Sequence, residues 1–286
     1  MKRIFSLLAI LILSFTMSVK ADSVVGDTIV TLGENLTPAQ KETVLKDMGV
    51  GEDVTTITVS NAEEHKYLGD YVPKAQIGSK AISSTKITTK EKGYGIVVNT
   101  NHITWVSKEM YTNALVTAGV KDADIYITAP FDVSGTAALT GILKAYEVST
   151  GEKIPEDQKQ VANEEMVTTA KLADSIGQKE ATELIQKVKE EIAKQDPKTA
   201  EDIKVIINNI SNELNIQLTQ DQLDQLVSLF DKMKDLNINW DQVNSQLDKA
   251  KEKWNDFKNS EEGKGIIQSI LDFFKAIFNW IAGLFS

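Results

Sequence analysis

Residues 125–147, IYITAPFDVSGTAALTGILKAYE, constrain this chain more than any other stretch. Ile125, Ile127 and Ala129 alternate with more polar neighbours, and Pro130 ends that run. Leu139, Ile142, Leu143 and Tyr146 then recur at helical spacing, so the stretch reads as strand, loop and helix. Ser134 is placed to cap the helix, with Gly135 and Thr136 in its first turn. A loop entering a helix presents unpaired N–H groups and the positive end of the helix dipole, which suits an anion. Ser134, Gly135 and Thr136 are therefore the candidate ligand-binding residues. The plainer reading of the same residues is a cap followed by a small-residue face packed closely on a sheet.

Upstream, the pattern switches between period two and period 3.6 from residue 22 to residue 151. TIVTLG (28–33) is a short strand, and Thr37, Pro38 and Gln40 form a capping box with proline at the first helical position. Val54, Ile57 and Val59 mark a β-rich segment, and Asn61 with Glu64 is placed to cap a short helix through Leu68. Residues 81–89 and 94–100 are two β-rich runs joined by KEKG, which predicts a hairpin. Ser107 opens a helix that Gly119 stops. Strands alternating with helices predict a mixed α/β sheet domain.

Beyond Gly151 the β signal fades. Ala181, Leu184, Ile185, Val188 and Ile192 share one spacing with Ile203, Ile206, Ile207, Ile210 and Leu214, each the apolar stripe of a bundle helix. Thr219 and Gln222 form a second capping box. Trp240, Val243, Leu247, Ala250, Trp254 and Phe257 then step by alternating threes and fours, a seam too short for an independent coiled coil. The fold class is thus α+β: a sheet domain over 22–151, an all-α helical domain over 152–260, and an amphipathic helix over 261–286.

That last segment is the most apolar after the N-terminus. Gln268, Asp272, Lys275 and Asn279 form one polar stripe, opposite Phe273, Phe274, Phe278, Trp280, Ile281 and Phe285. Asp272 and Lys275 would each cost about 2.5–3.5 kcal/mol at a bilayer centre. The pattern favours a helix lying in a membrane surface or contacting a partner protein through residues 266–285.

Residues 1–21 read as a secretory signal. Lys2 and Arg3 precede an apolar run from Ile4 to Phe15, and Val19 and Ala21 occupy the small-residue positions of a cleavage site. The chain has no cysteine, which excludes disulfides and a thioether lipid anchor. Without Lys2, Arg3 and Lys20 the remainder carries 28 Lys+Arg against 41 Asp+Glu, a net charge of −13. Such a charge disfavours nucleic acid as a partner. A secreted, envelope-associated location is expected.

Signals of catalysis are weak. His65 follows Glu63 and Glu64 at a helix start, and His102 lies in NHITWV near a strand end, but neither has ligands at metal-binding spacing. The S-x-x-K match at Ser83–Lys86 falls in ISSTKITTK, which alternates like a strand, whereas a serine acyl-transferase needs that serine to open a buried helix. No cofactor and no metal site is expected.

VTLGENLTPAQ (30–40), NAEEHKYLG (61–69), NHITWV (101–106) and residues 117–147, with the core APFDVSGTAALTGI, resemble the YpuA-like family of exported Gram-positive proteins, a domain of unknown function. The resemblance spans roughly residues 22–257. It implies export and a shared fold, and carries no catalytic residue, substrate or cofactor. The expected function is a non-enzymatic envelope protein that binds a ligand, such as a cell-wall component, or a partner, and is held at a surface by its C-terminal helix. The alternative is a hydrolase of wall or surface polymers with acidic catalytic residues.

Overall fold

The alternating TIVTLG run forms β1 (Thr28–Gly33), and the capping box at Thr37 opens α1 (Pro38–Asp47) with both reciprocal hydrogen bonds in place. There follow β2 (Thr55–Val59), α2 (Asn61–Leu68), β3 (Ser84–Thr89), β4 (Ile96–Thr100), α3 (Lys108–Thr117), β5 (Ala123–Thr128) and α4 (Thr136–Thr150). Five further helices complete the chain: α5 (Glu156–Ile176), α6 (Gln178–Gln195), α7 (Ala200–Glu213), α8 (Gln220–Asp235) and α9 (Trp240–Asn259). This computed structural model describes residues 25–51, 53–69, 71, 77–236 and 238–259. The expected signal segment and the 261–286 tail, with Phe273, Phe274, Phe278, Trp280, Ile281 and Phe285, lie outside the described residues.

The sheet order is β2-β1-β3-β5-β4. β1 and β2 are parallel, β4 and β5 are parallel, and β3 runs against both of its neighbours. Four strands therefore end at the same edge. The hairpin expected from KEKG does not form, because β5 inserts between β3 and β4 and α3 carries the β4–β5 crossover. β5 is thus flanked by a strand on either side, and Ile125 and Ile127 are fully buried on one of its faces.

Register fixes two chemically different faces. Ile29, Ile87, Ile125 and Val98 form one row across the sheet and pack beneath the helices. Val30, Lys86, Tyr126 and Asn99 form the adjacent row on the opposite face, where Val44 of α1 and its C-cap residue Met48 pack. Burial of such aliphatic side chains contributes about 1.5–3 kcal/mol each.

Helix α4 lies on the first face by its small residues. Ala137, Ala138, Gly141 and Ala145 are buried, and Thr31 Oγ1 donates to the Gly141 carbonyl at 3.0 Å. A Cβ on Gly141 would meet Thr31 Cγ2 at 3.0 Å, so a side chain there would have to push Thr31 aside by a few tenths of an ångström. The stripes read for α6 and α7 are buried as expected, Leu214 only partly, and Trp240, Val243 and Leu247 of α9 pack on the same core. One apolar cluster runs from Ile29 of the sheet to Leu247 of α9, across the sequence boundary at residue 151.

Candidate functional site

The ends of β1, β2, β4 and β5 bring four loops to one edge of the sheet. Open α/β sheets bind ligands at such carboxyl edges, and the 129–135 loop from β5 to α4 lies here. It is tied to the β4–α3 loop by three backbone hydrogen bonds: Val133 N–H to His102, Thr104 N–H to Val133 and Val106 N–H to Ser134.

Ser134 is half-buried, while Gly135 and Thr136 are buried. The cap of α4 is Gly135 rather than Ser134, and it makes no side-chain cap bond. Its φ of 94° lies in the left-handed region, and its carbonyl accepts from the buried Tyr111 hydroxyl at 2.6 Å. An added Cβ would stand 2.4 Å from that hydroxyl and 2.5 Å from Ile103 Cγ2, so the position excludes any side chain.

Thr136 Oγ1 donates to Glu64, whose other oxygen accepts from Asn61 Nδ2 at 3.2 Å. The carboxyl group at the start of α4 is thus the protein's own. Glu64 is 1% exposed. Burial pushes its pKa up, opposed by the hydrogen bonds from Thr136 and Asn61 and by nearby His65. Asn61 serves Glu64 instead of capping α2. The cap is Ser60, in extended backbone, with Glu63 completing its box. His65 Nε2 is 3.1 Å from the Gly78 carbonyl.

A second polar node sits beside this turn. Asp47, at the end of α1, accepts from Thr128 Oγ1 at 2.6 Å, Tyr126 Oη at 3.1 Å and Asn101 Nδ2 at 3.2 Å. Burial raises its pKa, but these three bonds and the nearby His102 outweigh it, and the carboxyl group sits below its ordinary value. Asp47 thereby pins the first loop residue after β4 to the end of β5.

The next residue, His102, holds a left-handed φ of 57°, a conformation that costs a non-glycine residue on the order of 1 kcal/mol. Its Nδ1 lies 2.8 Å from Asp132 Oδ1. An ionised carboxylate only accepts, so Nδ1–H donates to it. The imidazole is 45% exposed, and beside Asp132 the Phe131 ring is 48% exposed. An aromatic ring, an oriented imidazole and a carboxylate share this surface. They come from segments 30 residues apart, a pairing with no signature in the sequence.

Among the described residues, no group of three or more histidine and acidic side chains could hold a metal ion. No described helix is long and apolar enough to cross a membrane. The S-x-x-K residues lie on and just before β3, a strand as expected.

A five-stranded mixed sheet with one reversed strand, polar loops at its carboxyl edge and a following run of helices define an α+β protein. Residues 32–250 match the family described as "Protein of unknown function (DUF1002)", and the chain belongs to it. The "Uncharacterized protein YpuA" of Bacillus subtilis (strain 168) is 54% identical over 278 residues, which span 97% of this chain and 96% of that protein. The resemblance to a YpuA-like family is thus shown. No solved structure matches the chain.

Proposed function

We propose that this is an exported, non-enzymatic envelope protein that binds a cell-wall ligand or a partner at the carboxyl edge of its sheet and is held at a surface by its C-terminal helix. The observation that carries the binding half is the exposed Phe131 beside the His102–Asp132 pair. Loops on a rigid scaffold are the usual place for contacts of this kind, and strained backbone such as that of His102 clusters at functional positions. Ser134, Gly135 and Thr136 support this surface from beneath, and an external anion at that turn would compete with the Glu64 carboxylate.

The same geometry weighs against acid catalysis at Glu64. Its environment favours the protonated form, but its two oxygens are taken by Thr136 and Asn61 and it is 1% exposed. A general acid must be within hydrogen-bond reach of its substrate.

Export rests on the apolar segment after Lys2 and Arg3, and surface retention on the aromatic face of residues 266–285. A protein of this negative charge meets anionic lipid through apolar contact rather than charge, so salt changes its attachment little. The processed chain from Asp22 should float with liposomes at high salt, and a chain ending at Ser260 should not. Equal behaviour of the two chains would remove the surface-holding role.

A further inference from the structure

The strand register leaves part of the sheet without a packed layer. On the face opposite the helices, Val44 and Met48 cover β1, but the rows continue across β3, β5 and β4 as Lys86–Tyr126–Asn99 and Thr88–Asp124–Val97. Asn99 is exposed and the other five are half-buried. On the helix-covered face, Ile87, Ile125 and Val98 between these rows are buried. The open strip runs ~13 Å along β5 from Asp124 to Thr128. It then continues into the carboxyl-edge surface, because Asp47 holds Tyr126, Thr128 and Asn101 together and His102 follows Asn101.

One solvated face is ordinary for a sheet with antiparallel pairs. What sets this one apart is that its charges are already matched. Lys86 Nζ donates to the Met48 carbonyl at 2.6 Å and lies 5.8 Å from the centre of the Tyr126 ring. Lys90 Nζ stands 4.0 Å from Asp124 Oδ2. Asp47 takes its three donors, and Asp132 takes the His102 N–H. A chain with a strong negative excess thus presents a strip on which these charges are compensated. What remains to meet a ligand is uncharged: the Asn99 amide, which has no hydrogen-bond partner among the described residues, and the exposed Phe131 ring. The Asp47 bonds hold the strip in shape, so little order is lost when a ligand settles on it.

We propose that the strip carries a neutral glycan strand of the cell wall, lying along β4 and β5 from Val97 and Asp124 to His102 and Phe131. This rests on the carboxyl-edge reading and adds the class of ligand and its course. Matched charges give a polyanion or polycation nothing to neutralise. A protein partner would need a desolvated apolar anchor site, which these polar rows do not supply. A sugar ring has a C–H face that suits the negative face of an aromatic ring, and a rim of hydroxyl and acetamido groups that suits an amide such as Asn99.

The test is an NMR titration of the full chain, following the amides of Val97, Asn99, Asp124 and Phe131. The probes are the N-acetylglucosamine tetramer and dimer, the cationic glucosamine tetramer and an anionic hyaluronan tetrasaccharide. The neutral tetramer should give saturable shifts along the strip and bind severalfold tighter than the dimer, and both charged sugars should bind more weakly. Asn99→Ala, at an exposed position that leaves the fold intact, should weaken the tetramer about fivefold, the loss of one neutral hydrogen bond. Val97→Arg, which raises a long side chain over the strip, should abolish the shifts. The proposal is overturned by no saturable shift up to about 20 mM, by charged sugars that bind as well as the neutral one, by a dimer equal to the tetramer, or by variants that bind like the parent chain. Sedimentation with cell walls separates this proposal from the reading beneath it. Wall binding that Phe131→Ser weakens, with no shift from the tetramer, keeps the carboxyl-edge surface and overturns the glycan. A parent chain that does not pellet with walls overturns both.

Discussion

Lys189 Nζ and Glu165 Oε1 stand 2.5 Å apart, and both side chains are wholly excluded from solvent. Lys189 also donates to the Asn113 carbonyl at 2.8 Å, and Glu165 Oε2 accepts from Thr117 Oγ1 at 2.5 Å. One pair therefore ties α3 of the sheet region to α5 and α6 of the helical region. A buried pair is weak support for stability as a whole, but removing one partner strands the other charge. Lys189→Met should cost about 3–5 kcal/mol in chemical denaturation, and Lys189→Met with Glu165→Leu should recover most of it. A double variant no better than the single one would show that the charges themselves are required.

Gly135 carries the geometry of the β5–α4 loop. Gly135→Ala places a methyl group against Tyr111 Oη and Ile103 Cγ2 at a positive φ, and strain of this kind costs on the order of 2–3 kcal/mol. Ser134→Ala should change stability by less than about 0.5 kcal/mol, since that side chain makes no cap. The pair of denaturation curves checks both statements, and a large loss at Ser134 would contradict the assignment of the cap.

The two carboxyl groups at this edge respond to pH in opposite senses. Asp47 has a folded pKa below its ordinary 3.8, so its contribution is present above that value and is lost as pH falls through the lowered pKa. Glu64 has a folded pKa above 4.5, so its contribution is complete below 4.5 and is lost as pH rises through the raised pKa. Asp47→Asn should therefore be destabilising at neutral pH and nearly silent in strong acid. Glu64→Gln should gain on the parent chain as pH rises toward neutrality. Denaturation of each variant across that range is the check, and parallel pH profiles would contradict the opposed environments.

What the sequence made legible depended on where polar residues fell. The 125–147 unit and the stripes of α6 and α7 were readable because their buried positions are apolar at one period. Helix α5 left no stripe, since Asn163, Glu164, Glu165 and Thr169 lie on its buried face. The capping boxes at Thr37 and Thr219 were legible, yet in SNAEE the neighbouring Asn61 and Glu64 mimic the true Ser60–Glu63 box one residue away. Strand order was not legible, because nothing in KEKG tells a tight turn from a connection that passes another strand. The edge surface was hidden for the same reason. Asp47 reaches Thr128 across 81 residues and His102 reaches Asp132 across 30, and such contacts exist only once the sheet has formed.

The most direct test of the binding account is co-sedimentation of the processed chain with purified cell walls, with soluble fragments assayed in the same tubes. The account predicts that the chain pellets with walls and releases no fragments. Phe131→Ser should weaken that association about tenfold or more, as for a central aromatic contact, and His102→Ala should weaken it as well. Fragment release that disappears on substitution of a single acid would contradict the account and establish a hydrolase instead.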